Sequence, residues 1–145
     1  MSVTVALPSP VRLTVRQRLR ARWAAWRAHR VICARDPDDR LRVVMARLVR
    51  DPGRPSSAAE AEHAVHAVTT ARLRLGGTKA CLERALAALL YARSYGHISV
   101  LVIGIRPGTA DIHAWLEAEG RPVAEPFDPR PAYLPITVYT PGANP

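Results

Sequence analysis

The chain is 145 residues long, carries a formal charge of +9 and holds two cysteines. That length suits a single domain, 1–145, with a real core, and two cysteines so far apart give no disulfide framework, which points to a reducing compartment. No apolar run qualifies as a signal peptide or a membrane span, the longest being ISVLVIGI at 98–105, so the chain reads as cytoplasmic.

The charge is uneven. Residues 1–50 hold twelve arginines against three aspartates, whereas residues 51–145 balance eight arginines and one lysine against nine acids. Lys79 is the sole lysine, so part of the bias reflects a preference for arginine codons. The arginines are interleaved with Ala, Val, Leu and Trp, which leaves two readings open: a solvated helical face, or a surface for an anionic partner. A nucleic-acid-binding module would add an aromatic platform, finger spacing or a recognition-helix pattern; none is present, so no nucleic acid is expected.

After a proline-rich lead-in, Val11, Val15, Leu19, Trp23 and Trp26 follow one another at intervals of four, four, four and three. The spacing predicts an amphipathic helix to about Ala34, with an apolar stripe of the kind that faces a core and arginines on its other sides. RDPDD at 35–39 breaks it and caps a second helix, RLRVVMARLVR, at 40–50. DPGRPSS is a loop, and Ser56 or Ser57 starts a third helix through AAEAEHAVHAVTTARLRL at 58–75. His63 and His66 on that helix have no matched second pair of ligands, so neither a metal nor a cofactor is expected. Thr78 can N-cap a fourth helix, which carries Leu82, Leu86, Leu89 and Leu90 and fades near Tyr95 and Gly96.

From His97 the pattern changes. HISVLVIGIR is short and β-branched, a strand buried on both faces; RPGT is a turn; DIHAWLEAE is a second strand, and ITVY near the proline-rich end is another. Gly120 closes a hairpin into RPVAE. An Arg-rich helical part over 1–75, then a helix and antiparallel strands over 76–140, make the fold class α+β.

Cys81 falls in the first turn of the fourth helix, where unpaired N–H groups and the helix dipole favour an anion. Free cysteine is also among the most buried residue types, so a structural thiol is the competing reading. Geometry bears on the choice. The helix climbs roughly 21 Å from Cys81 at 1.5 Å per residue, and the strand returns roughly 26 Å at 3.3 Å per residue. That brings the turn, and His113 just beyond it, to the level of Cys81. A three-residue loop over 118–120 sets Glu117 opposite Arg121 and His113 opposite Glu125. A carboxylate facing an imidazole fixes its tautomer and holds it toward a thiol. Cys81, His113 and Glu125 are therefore the candidate catalytic residues, with backbone N–H groups at the helix start as oxyanion donors. Cys33, in the helical half, has no base expected nearby.

The stretch CLERALAALLYARSYGHISVLVIGIRPGTADIHAWLEAEGRPVAEPF, 81–127, resembles the lasso-peptide leader peptidases, transglutaminase-like cysteine proteases with a papain-related fold. Cys81-Leu82, Ile103-Gly104-Ile105-Arg106, His113-Ala114-Trp115-Leu116-Glu117 and Gly120 carry the resemblance, in order and spacing. It implies Cys81 as nucleophile and His113 as general base. The acid in that family is usually an aspartate about a dozen residues after the histidine; Glu125 stands there, and Asp128 in PFDP is the second candidate. The implied activity is removal of the leader from a ribosomally made precursor, ahead of a separate macrolactam cyclase and without a cofactor. A chain this short has no room for a fused recognition domain, so a separate leader-recognition protein is the implied partner. Arg12, Arg16, Arg20, Arg27 and Arg30 form its expected docking face. A transglutaminase-like acyltransferase using the same three residues is the nearest alternative; a basic nucleic-acid-binding module is the more distant one.

Overall fold

Three of the four helices begin where a short polar side chain takes up an orphan N–H. Thr14 caps α1 (Val15–Ile32) and Ser57 caps α3 (Ala58–Ala71), in capping boxes completed by Gln17 and Glu60, while Asp36 caps α2 (Pro37–Arg50). These boundaries come from a computed structural model that describes residues 10–51 and 53–142. The third helix stops at Ala71, short of the expected end, and two 3-10 turns, Leu73–Gly76 and Thr78–Ala80, lead into α4 (Cys81–Arg93). The Thr78 cap is corrected by this: Thr78 opens a 3-10 turn, and the N-cap of α4 is Ala80, which makes no side-chain cap bond.

The strands follow as an antiparallel sheet in the order β5-β4-β3-β6, built from β3 (Val100–Ile105), β4 (Ile112–Ala118), β5 (Arg121–Val123) and β6 (Leu134–Tyr139). HISVLVIGIR splits at Ser99, so that β2 (His97–Ile98) pairs in parallel with β1 (Arg54–Pro55) and only the rest joins the main sheet. The architecture is α+β, as the order of helical and strand patterns requires. Strand alternation divides the sheet residues. Leu101, Ile103, Ala114, Leu116, Ala118 and Val123 join the core beneath the helices, while Val102 and Trp115 form a smaller cluster with Tyr133 on the other face. Among the described residues, no helix is long and apolar enough to cross a membrane.

The first helix is turned the other way from the sequence expectation. Ala21, Ala24, Ala25 and Ala28 are each 0% exposed, against α4 and α3, whereas Val15, Leu19, Trp23 and Trp26 are 78%, 64%, 46% and 48% exposed. Val11 precedes the helix, its N–H donating to Thr70 Oγ1. The reason is size. α3 and α4 present alanines of their own, including Ala61, Ala64, Ala85 and Ala88, and small side chains on both partners let helix axes approach closely. Arg20 is likewise not part of a free basic face. Its Nη1 donates to the Ser94 carbonyl at 3.0 Å and its guanidinium lies 4.3 Å from the Tyr95 ring centroid, so it fastens α1 to the end of α4.

Candidate active site

Cys81 is the first residue of α4, and nothing on the Ala80 side chain competes for the N–H groups of that turn. The positive end of the helix and its uncapped donors therefore face whatever approaches the thiol. The thiol itself comes against an open stretch of sheet edge. β5 is three residues long, and its ladder on β4 ends at Leu116↔Val123, so among the described residues the backbone of β4 before Leu116 has no strand on that side. Ala114, in that stretch, lines the recess beside Cys81. Burial, the largest influence, pushes the Cys81 thiol up. His113 and the Ala114 backbone, with the charge of Arg84, outweigh it and leave the thiol below its ordinary value.

His113 enters from β4 and lies near enough to Cys81 for each side chain to shift the other. Its Nε2 lies 2.8 Å from Glu125 Oε2, which leaves Nδ1 as the nitrogen for the thiol. Cys81 and then the bond to Glu125 raise the imidazole to about 9 against the effect of burial. The opposed shifts, thiol down and imidazole up, are those of a thiolate–imidazolium pair. Aromatic rings hold the imidazole in place: Trp115 stacks at 5.9 Å between centroids and 21° between planes, and Tyr133 lies at 5.3 Å. The Tyr133 hydroxyl is fixed in turn, accepting from Arg106 at 2.9 Å and donating to Asp111 at 2.8 Å.

Glu125 meets His113, but not by the expected register. The hairpin pairs Ala118 with Arg121 and Glu117 with Pro122 across a two-residue loop, Glu119-Gly120, at φ 53° and 75°. Both residues left-handed is the geometry of a type I′ turn rather than a three-residue loop. The contact survives because the chain leaves the ladder after Val123: Ala124 has φ 54°, and Glu125 follows it back to the imidazole. Asp128 is spoken for elsewhere, its carboxylate bound to the Arg130 guanidinium at 2.6 Å.

A second cysteine–histidine contact exists, where none was expected. Cys33 Sγ lies 3.5 Å from His29 Nδ1, and Glu83 Oε1 lies 3.1 Å from the same nitrogen. One ring nitrogen cannot donate to a carboxylate and take a proton from a thiol together, so the two contacts do not form a relay. Cys33 also sits at the C-cap of α1, the helix end that opposes an anion. Cys33 and His29 line a groove of about 710 Å³ between α1 and α2, whereas the recess beside Cys81 holds only about 10 Å³. Chemistry, not volume, selects Cys81. Sequence reasoning missed Arg84, whose Nη1 donates to the carbonyls of Leu75 at 2.8 Å and Gly77 at 3.2 Å, tying down the turns ahead of Cys81. A cation three residues after a helix-start cysteine, on the same face, was the available signal.

The acid is the member to test against its neighbour. Glu125→Gln keeps the shape but removes the charge that supports the imidazolium. It is expected to lower kcat/KM by roughly tenfold to 10⁴-fold and to move the loss of activity at high pH downward from about 9. Asp128→Asn is expected to leave both unchanged within about twofold, since its carboxylate serves Arg130. The reverse ranking in steady-state kinetics would assign the acid to Asp128.

The transglutaminase-like superfamily model Transglut_core3 matches residues 4–138. No curated protein and no solved structure gives a significant match.

Proposed function

Because the chain belongs to the transglutaminase-like superfamily, we propose that it is a cysteine peptidase that cuts the leader from a ribosomally made lasso-peptide precursor. The observation that carries the catalytic part is the convergence of Cys81, at an uncapped helix start, with His113, whose Nε2 lies 2.8 Å from Glu125 Oε2, the thiol and the imidazole shifting each other in opposite directions. The substrate part is supported by the resemblance of 81–127 to the leader peptidases. Cys81 is the nucleophile, His113 the general base and acid, and Glu125 the group that orients and stabilises the imidazolium.

The Cys81 thiolate attacks the carbonyl at the leader–core junction, and N–H groups of the first turn of α4 receive the developing oxyanion. His113, protonated, gives its proton to the departing core amine as the C–N bond breaks, leaving the leader as a thioester on Cys81. Neutral His113 then takes a proton from water, the hydroxide adds to the thioester, and the thiolate leaves with the leader acid released. The core departs with a free amine, the group that a macrolactam cyclase consumes. The same reading makes a separate leader-recognition protein the partner. It also puts the reaction in the cytoplasm, where both cysteines, free in the fold, stay reduced.

The test is to incubate the protein with the precursor peptide encoded beside its gene, with and without the recognition protein, and weigh the products. Leader and core, with one water added across the cut, are expected, and faster with both proteins present. A leader carrying an added amine instead of water would identify an acyltransferase using the same thioester. Intact precursor in every arm sinks the reading.

A further inference from the structure

The exposed stripe on α1 is continuous with the 710 Å³ groove between α1 and α2. Trp26 lines one side, Val43, 41% exposed, lines the other, and Val31 and Val44 lie between them. Arg27, Arg30, Arg40 and Arg47 line the same groove. Arg27 lies 5.8 Å from the Trp23 ring centroid and Arg30 lies 5.3 Å from that of Trp26. Among the described residues, none of these four arginines is in an ion pair. A protein surface rarely leaves two tryptophans, a leucine and two valines exposed together, as Trp23, Trp26, Leu19, Val15 and Val43 are among the described residues.

We propose that the α1–α2 groove is the docking site for an acidic, amphipathic helical segment of a partner protein. Charge selects the sign of the occupant: the groove offers unpaired guanidinium groups, which bind carboxylates through paired N–H donors. Tryptophan and arginine together are the side chains that anchor protein interfaces. A second copy of this chain is the wrong occupant, because it would set arginine-lined walls of a +9 chain against each other. A lipid surface calls for a flat apolar face with its cations at the border, whereas here the apolar floor is concave and arginines lie on the indole rings themselves. Nucleic acid would use the arginines and leave the apolar strip uncovered. From Val15 to Trp26 the exposed strip runs roughly 17 Å at 1.5 Å per residue, room for a helix of about three turns, and the groove extends it.

The groove also reaches toward the catalytic helix. His29, which lines it, is bonded to Glu83, two residues past Cys81, and Glu83 accepts from Arg74 at 2.8 Å. An occupant is thus seated one side chain from the first turn of α4. The proposal deepens the partner part of the function above and rests on it only for which protein supplies the segment; its test uses no cleavage, so the two fail separately.

Trp23 and Trp26 are exposed and Trp115 is 1% exposed, so the solvent-sensitive part of the tryptophan emission reports the groove. The full-length protein is titrated with an 18-residue peptide bearing leucines at i, i+3, i+4 and i+7 and glutamates between them. Parallel titrations use the same composition scrambled, phosphatidylglycerol vesicles, and a 20-base-pair DNA duplex. A saturable blue shift is expected with the amphipathic peptide, at least tenfold tighter than with the scrambled one and weaker at high salt. Val43→Glu, at an exposed position, is expected to weaken it at least tenfold with the circular dichroism unchanged; Arg30→Glu with Arg47→Glu is the second variant and is expected to do the same. No shift, equal binding of the scrambled peptide, tighter binding of vesicles or DNA, or indifference of both variants overturns the proposal.

Discussion

Cys81→Ala is expected to abolish precursor cleavage, a loss of at least about 10⁴-fold in kcat/KM, while the protein stays folded. In the proposed mechanism the thiolate forms the new bond, so its removal leaves that step without a nucleophile. Alanine occupies nearly the same space at a position only part-buried, so the thermal midpoint should move little. Cys33→Ala supplies the control, with activity within about twofold of wild type, because the imidazole beside Cys33 is engaged by Glu83 through its only near nitrogen. Retention of activity in the folded Cys81 variant, with loss in the Cys33 variant, would move the nucleophile to Cys33.

His113→Ala is expected to be as severe as the loss of the thiol, since members of a catalytic unit do not contribute additively. It also has a signature that a merely structural residue lacks. Without the imidazolium, burial is left as the chief influence on Cys81, so the pH at which a small alkylating reagent labels the thiol should move up. In the wild-type protein, kcat/KM should rise on the acid side as Cys81 ionises, below the ordinary thiol value. It should fall on the alkaline side as His113 gives up its proton near 9. An alkylation profile unchanged by His113→Ala would show that the two side chains do not share a proton.

Much of the site was legible in the chain itself. A helix-start cysteine, a strand of the right length returning from the end of that helix, and a histidine just past the turn place two groups together by dimensions alone. The contact between Glu125 and His113 was expected for a partly wrong reason. Hairpin register depends on the number of residues in the loop, and Glu119 and Gly120 both take left-handed conformations where a single left-handed glycine was expected. Local sequence does not fix that choice, because it decides between two turns of similar composition. The first helix misled for a different reason. It has two apolar stripes on opposite sides, one of large residues and one of alanines, and periodicity scores both. Which one turns inward is settled by α3 and α4, whose own alanines accept only a close neighbour. Thr78 was a sound capping residue in the wrong place, since a 3-10 turn intervenes before the helix proper.

The early end of β5 has a consequence for how such a site changes over generations. A side chain on a ladder is held to one face by pairing, and a shift of one residue turns it away. Glu125 hangs beyond the last paired residue, past the left-handed Ala124, so its meeting with His113 is governed by reach. Reach is easily traded: a longer side chain compensates for a chain that departs sooner, a shorter one for a chain that departs later. The third member of the candidate triad is thereby the residue of the three least constrained by the fold in identity and in position. Cys81 and His113, one locked to a helix start and the other to a strand, have no such latitude.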